Sequence, residues 1–234
     1  MFELWLRSYS LFYQGLVGDS AITMKGSSMT ESFDPTTGLL DDDGDVATDG
    51  KLTMSGTATI RGDAIASSFA IGSSNLITGA RVVDQTPMSF MEVKLPTGLP
   101  DLKALSLSGT TRTIVGPGSF QLDKLFLDKS AHLFIDNSAG PVTLYVKTTV
   151  TVGGGSKITV ADPDPEKFAI YVLSAKSNTV SVTGNGSVFH GVLYAPTSTV
   201  TINGTGTFTG AFVAKTLTTD NSARIRYDSS LRGQ

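Results

Sequence analysis

The chain has 234 residues but no cysteine, a single tryptophan and only two histidines. Without thiols there are no disulfides, thiolate metal centres, iron–sulfur clusters or cysteine nucleophiles. The compartment stays open, because a long β protein can build its core without staples. Charged residues make up 17% of the chain and the formal net charge is −3. That leaves no basic excess to neutralise a phosphate backbone, so nucleic acid is not expected as a partner. No run of about 18 apolar residues is present, so no membrane span is expected. The opening MFELWLRSYSLFYQGLV carries Glu3 and Arg7 inside its apolar run, unlike the core of a signal peptide. The expectation is either a cytoplasmic chain or one preceded by an export or anchor segment.

What fills the space left by charge is 30 threonines, 26 serines and 25 glycines. β-Branched threonine favours strands and abundant glycine favours tight corners. Internal repeats give these letters an order. LTMSGTATIRGDAIA (52–66) lies over VTINGTGTFTGAFVA (200–214) without a gap, placing Leu52 on Val200, Gly56 on Gly204 and Gly62 on Gly210. VSVTGNGSVFHGVLYA (180–195) is a third copy, and weaker copies begin at Ile22, Leu125, Val150 and Leu217. Each unit is a short alternating strand, a Gly or Asn turn and a second short strand, so one side of each strand is buried.

Strands this short do not form a stable sheet alone. Recurring every 17 to 20 residues or so, they can stack as coils that bury a continuous core between neighbours. The expected fold is all-β, a right-handed parallel β-helix, with Gly56, Gly184 and Gly204 at corners of positive φ. A β-sandwich is the competing arrangement. Phe2, Leu6, Tyr9, Tyr13 and Leu16 fall at helical spacing, so residues 1–17 are expected to form a capping helix over the first coil or the remnant of an anchor. Residues 18–234 then form one solenoid domain, interrupted at about 85–105 by a segment rich in Pro87, Pro96 and Pro100.

The C-terminal repeats resemble the β-helical domain of bacterial secreted and pilus-associated proteins of the PilX type. The resemblance is carried by Gly191, Tyr194, Ala195 and Pro196, then Gly210, Ala211, Ala214 and Lys215, and finally Tyr227, Asp228 and Leu231. It implies an extracellular or cell-surface location and structural or adhesive work, with no catalytic residues to carry over. Pilus or cell-surface components are the partners it suggests.

Few residues suggest chemistry. Asp41, Asp43 and Asp45 in DDDGD form an oxygen-rich loop of the kind that suits Ca²⁺, but the spacing does not complete an EF-hand. A solvated turn is the competing reading, and no other cofactor is expected. In ADPDPEK (161–167) the prolines predict an extended exposed loop. His132 and His190 both fall at outward positions, and no G-x-S-x-G elbow is present. Asn185 and Asn203 open NGS and NGT sequons, at corners where Asn-Gly is already favoured.

The chain therefore reads as a non-enzymatic structural or adhesive solenoid of a bacterial surface. Its C-terminal coil, if open, is expected to stack head to tail on another copy. A polysaccharide-binding or polysaccharide-cleaving β-helix is the first alternative, with glycans as partners. The second alternative rests on Thr-x-Thr pairs in TATI (57–60), TTVTV (148–152), TVTI (199–202) and TGTFT (205–209). Aligned on one flat face, such pairs would match ice or another crystalline surface.

Overall fold

The structure, a computed structural model, describes residues 12–173 and 178–232. Strands dominate, and the helical elements among the described residues are 3₁₀ turns, such as Pro165–Lys167 and Ser229–Arg232. Nearly all strand pairs are parallel; the hairpin joining Met29–Phe33 to Leu40–Asp41 is antiparallel. Parallel stacking of short strands around a core is the geometry of a β-helix, which replaces the sandwich alternative.

Each coil contributes to three faces. On the first, Gly118–Leu122, Val142–Val146 and Phe168–Val172 stack in order, Phe168–Val172 pairs with Val192 to Tyr194, and further up Phe212 to Ala214 pairs with Leu16 to Gly18. On the second, Ala104–Ser108, Lys124–Asp128 and Val150–Val152 lead to Val180 to Val182. On the third, Thr111–Val115, His132–Asp136 and Lys157–Val160 stack in register. Alternate side chains point inward and form ladders. Leu105, Leu125, Val150, Val180, Val200, Leu217, Ile22 and Leu52 make one such ladder, each about 1% exposed or less. Burying one such side chain is worth roughly 1.5–3 kcal/mol, and stacking shares the burial between neighbouring coils.

The order of stacking is not the order of the sequence. Leu16–Met24 pairs on one side with Phe212 to Thr219 and on the other with Val46–Met54. Met29–Phe33 likewise lies between Arg224–Asp228 and Thr59–Ile60. The first and last coils therefore meet inside the rod. From this junction the N-terminal coils run outward to Leu76–Ile77 and Arg81–Val83 at one end, and the later coils begin at Ala104–Ser108 near the other. At about 4.8 Å per level the stack spans roughly 40 Å. Residues 84–103 contain no strand and return along the first face. Met88 N–H donates to Asp49, Met91 pairs with the Tyr194 hydroxyl, and Asp101 bridges to Gln121.

This topology removes the expected N-terminal helical cap from residues 12–17. Residues 1–11, with Phe2, Leu6 and Tyr9, lie outside the described residues. Leu16 and Val17 already belong to a strand, and the coil they enter is covered on both sides, so it presents no open end to cap. The C-terminal coil is not an end either, because Arg224–Asp228 is flanked on both edges.

Corners follow the glycine expectation in part. Gly56 and Gly204 have φ of 72° and 104°, and Asn221, at φ 58°, takes the same corner of the last coil. Gly184 does not have positive φ; Gly186 does, at 76°, because the inserted residue of that copy moves the turn. Corner side chains form their own ladder. Asn221 donates to Asn203, Thr205 donates to Asn185, and the Ser27 and Thr57 hydroxyls lie 2.9 Å apart.

A Cβ at Gly56 would come 2.5 Å from the Gly26 carbonyl oxygen, whereas one at Gly38, also at φ 72°, would meet nothing within 4 Å. Gly38→Ala is expected to cost only the left-handed penalty of about 1–2 kcal/mol. Gly56→Ala is expected to cost more, since it adds a backbone clash. Urea unfolding midpoints of the two variants check the ranking.

Candidate functional site

The three outer faces differ in what the sequence places on them. On the first, Tyr145, Tyr171, Tyr194, Val213 and Val17 fall in one outward row. That row is covered: Met88, Phe90 and Val93 of the returning segment pack on it, with Phe12 and Leu231. Burial pushes the Tyr194 hydroxyl up to about 12, and it both accepts from and donates to the Met91 backbone. The third face is charged. Glu31, almost fully buried, receives Arg226 at 2.9 Å with Arg224 at 3.6 Å, and His132 and Lys157 lie further along.

The second face is open, and two ranks across its central coils carry no charged side chain, with Lys25 and Asp220 at the corner beyond them. Pairing aligns Thr151 with Ser181, and Thr218 with Thr23 and Thr53, in one outward rank. Thr201 completes that rank, because Thr199 N–H donates to the Asn178 carbonyl and Asp220 N–H to that of Ile202. Two residues earlier on the same strands lie Thr149, Thr179, Thr199, Thr216 and Ala21. The Thr216 hydroxyl donates to that of Thr199 at 3.0 Å, directly linking adjacent coils. Lys51 beyond Ala21, and Lys124 with Phe126 beyond Thr151, bound the patch.

The geometry is set by the backbone. Neighbouring coils repeat at about 4.8 Å, and residues i and i+2 on one strand are about 6.7 Å apart. Threonine is stiff at χ1, so each threonine offers a methyl and a hydroxyl in a narrow range of orientations. Charges, which hold their own hydration shells, are absent from the central patch.

The four Thr-x-Thr pairs singled out in the sequence do not all reach this face. Thr149/Thr151 and Thr199/Thr201 do. Thr57 and Thr205 sit at corners, while Thr59 and Thr207 lie on the charged face opposite Met29 and Arg224. Thr23, Thr53, Thr216 and Thr218 were not singled out, yet the repeat alignment already lays Thr53 over Thr201. Because the turn separates two faces, residues before the corner glycine belong to one face and those after it to the other.

The acidic loop is tied down by Arg232. Its guanidinium contacts Asp43 at 2.9 Å and also Asp45. Asp45 further accepts from the Asp63 backbone N–H, repeating at one coil what Asp63 does for Ala80 at the next. Burial pushes the Asp45 carboxyl up, opposed by that amide and by Arg232. Asp41 is exposed and accepts from the Asp42 N–H. Among the described residues no three His, Cys, Asp or Glu side chains gather as metal ligands. ADPDPEK is not an extended loop. Asp164 caps a 3₁₀ turn at Pro165–Lys167, Lys167 pairs with Asp162, and buried Asn137 bonds both the amide and the carbonyl of Asp162.

His190 is less exposed than expected, with Nε2 3.7 Å from Oδ2 of fully buried Asp228. His132 Nε2 lies 2.6 Å from the Thr159 hydroxyl.

These features define a parallel β-solenoid with a non-sequential coil order and one flat threonine face. The chain belongs to the family described as "Domain of unknown function (DUF7305)", which matches residues 107–234. No curated protein matches it. Two solved structures resemble it in fold. One is an ice binding protein from an Antarctic biological consortium, 14% identical, with a TM-score of 0.55 over 93% of this chain and 89% of that one. The other is an ice-binding protein from the Antarctic ascomycete Antarctomyces psychrotrophicus, 15% identical, with the same TM-score over 93% of this chain and 95% of that one.

Burial, with a smaller contribution from Lys157, holds the His132 imidazole below its ordinary 6.5. The folded protein thus favours neutral His132. This contribution to stability is present above the ordinary value and is lost as pH falls through 6.5 towards the depressed folded value. An NMR titration should place His132 below 6.5, and His132→Gln should flatten the loss of melting temperature between pH 7 and pH 5.

Proposed function

We propose that the protein is a non-enzymatic binder of ice, acting outside the cell through its threonine face. The observation that carries this reading is the pair of in-register, mostly threonine ranks on a single open sheet face whose centre carries no charged side chain. The similarity in fold to two ice-binding proteins supports it, while the matches lend no support to the pilus and adhesion expectation.

Binding follows from preorganisation. Each methyl and hydroxyl contributes little alone, but the sheet has already fixed their spacing and rotamers, so little entropy is lost when they engage a lattice. A lattice repeats, so every coil in register makes the same contact. Water held between neighbouring methyls and hydroxyls can bridge to the solid at small cost. A single bulky charge in the middle of the ranks breaks both the flatness and the water order, while a similar change on another face leaves them intact.

Thr201→Lys and Thr218→Lys together are therefore expected to abolish most of the thermal hysteresis and ice partitioning of the unaltered protein. Such surface changes are expected to shift stability by only about 0.5 kcal/mol each. Thr207→Lys on the charged face is the control and is expected to retain activity. Absence of ice affinity in the unaltered protein, or equal loss in the control, overturns the reading. Retention on a crystalline glycan without ice affinity would instead assign the face to that solid.

A further inference from the structure

The coil junction joins two parts of the chain that are not adjacent in sequence. Residues 12–83 form the N-terminal coils, residues 104–232 form the rest, and the only covalent connection is the segment 84–103. Across the junction, Leu16–Met24 pairs with Phe212 to Thr219 and Met29–Phe33 with Arg224–Asp228. The ladders are reinforced by side chains. Arg226 donates twice to buried Glu31, Thr219 donates to Ser28 inside the core, and Arg232 reaches Asp43, Asp45 and the Tyr13 carbonyl. Phe12 packs edge-on against Tyr194 at 5.9 Å. None of these contacts requires that both sides come from the same molecule.

We propose that this junction is also a docking surface for a second copy of the chain, whose N-terminal coils take the place of the molecule's own. The product is a closed dimer in which each rod is built from residues 12–83 of one chain and residues 104–232 of the other. No new interface is needed, because every junction contact is reproduced between chains.

The connecting segment permits this exchange. It lies along the rod over roughly eight levels, or about 38 Å at 4.8 Å per level. Its twenty or so residues reach about 60 Å when extended, so they can also cross to a rod lying alongside, a diagonal of roughly 45 Å for rods about 25 Å apart. Pro87, Pro96 and Pro100 favour extended backbone. Exchange requires release of the contacts that hold the segment, among them Asp84 to Ala66, Met88 to Asp49, Met91 to Tyr194, the stretch from Leu99 to Leu102 on Gln121, Lys103 to Asp123, and the packing of Met88, Phe90 and Val93 on the first face. Capture within one chain competes with exchange through its effective concentration, which for a linker of this kind is in the millimolar range. Exchange is therefore a matter of the concentration at which the chain folds. The dimer carries two threonine faces in one particle, but the exchange does not depend on what those faces bind.

The absence of cysteine provides a clean test. Thr23 and Thr218 are register partners across the junction and both point outward, so Thr23→Cys with Thr218→Cys places a disulfide there. The full chain carrying both changes is unfolded in denaturant, refolded under reducing conditions at about 1 µM and at about 1 mM, separated by size with light scattering, and then oxidised. At the lower concentration a monomer cross-linked within its own chain is expected. At the higher concentration a dimer comparable in amount to the monomer is expected, running as a covalent dimer on non-reducing gels. Met29→Cys with Arg224→Cys, partners on the charged face, repeats the test should the first pair impair folding. Absence of dimer at the higher concentration, or a dimer whose cross-links lie only within chains, overturns the proposal.

Discussion

Everything in this molecule depends on parallel backbone pairing between coils that have no strength of their own. A coil of three short strands exposes two edges of unpaired amides and carbonyls and half of its apolar side chains. Only a coil above and a coil below remove both costs. The first coil of this chain finds its second neighbour in the last coil. Leu16–Met24 is held from both sides, and so is Arg224–Asp228. The coils of Leu16–Met24 and Arg224–Asp228 thereby lie in the middle of the stack, and the ends of the described stack are built from segments internal to the sequence, near the returning segment 84–103.

That solution dictates how polar groups are used. The buried charge of Glu31 would be costly if unpaired, and it sits where Arg226 of the last coil meets the first. Arg232, from the final 3₁₀ turn, closes over Asp43 and Asp45 in the loop leading into the second coil. Removing one partner of such a pair leaves the other charge unsatisfied, which is more damaging than never having had the pair. Charge is scarce in this protein, and part of what there is lies at the one interface that the covalent chain does not secure.

Much of the fold was legible because the repeats are local. Leu52 over Val200 and Gly56 over Gly204 identify the strand, the inward position and the corner, and the structure confirms each. The coil order was not legible. The copies at 52–66 and 200–214 share a phase whether they lie at opposite ends of a rod or three levels apart, since repeat identity reports the environment of a coil and not its neighbour. The helical spacing of Tyr13 and Leu16 misled for a related reason. Leu16 is buried by Phe212 and Val46, contacts far away in sequence, and that tertiary burial decides its conformation. The DDDGD loop looked like a cation site because Arg232, the cation it meets, lies 187 residues from Asp45.

The threonine face shows why a candidate site of this kind is hard to see one motif at a time. A Thr-x-Thr pair is uninformative by itself, because threonine suits any outward strand position. The pairs at 199/201 and 205/207 are separated by one corner glycine, and that corner sends the first to the flat face and the second to the charged one. What distinguishes the threonine face is the coincidence, over successive central coils, of threonine at the same phase, with Lys124, Lys51, Lys25 and Asp220 standing only at its borders. Two of the contributing coils, those of Thr218 and Thr23, become neighbours only because the first and last coils pair. The continuity of the ranks across that point is thus a product of the same backbone constraint that holds the rod together: in a sequentially wound solenoid, Thr23 would stand at one end and Thr218 at the other.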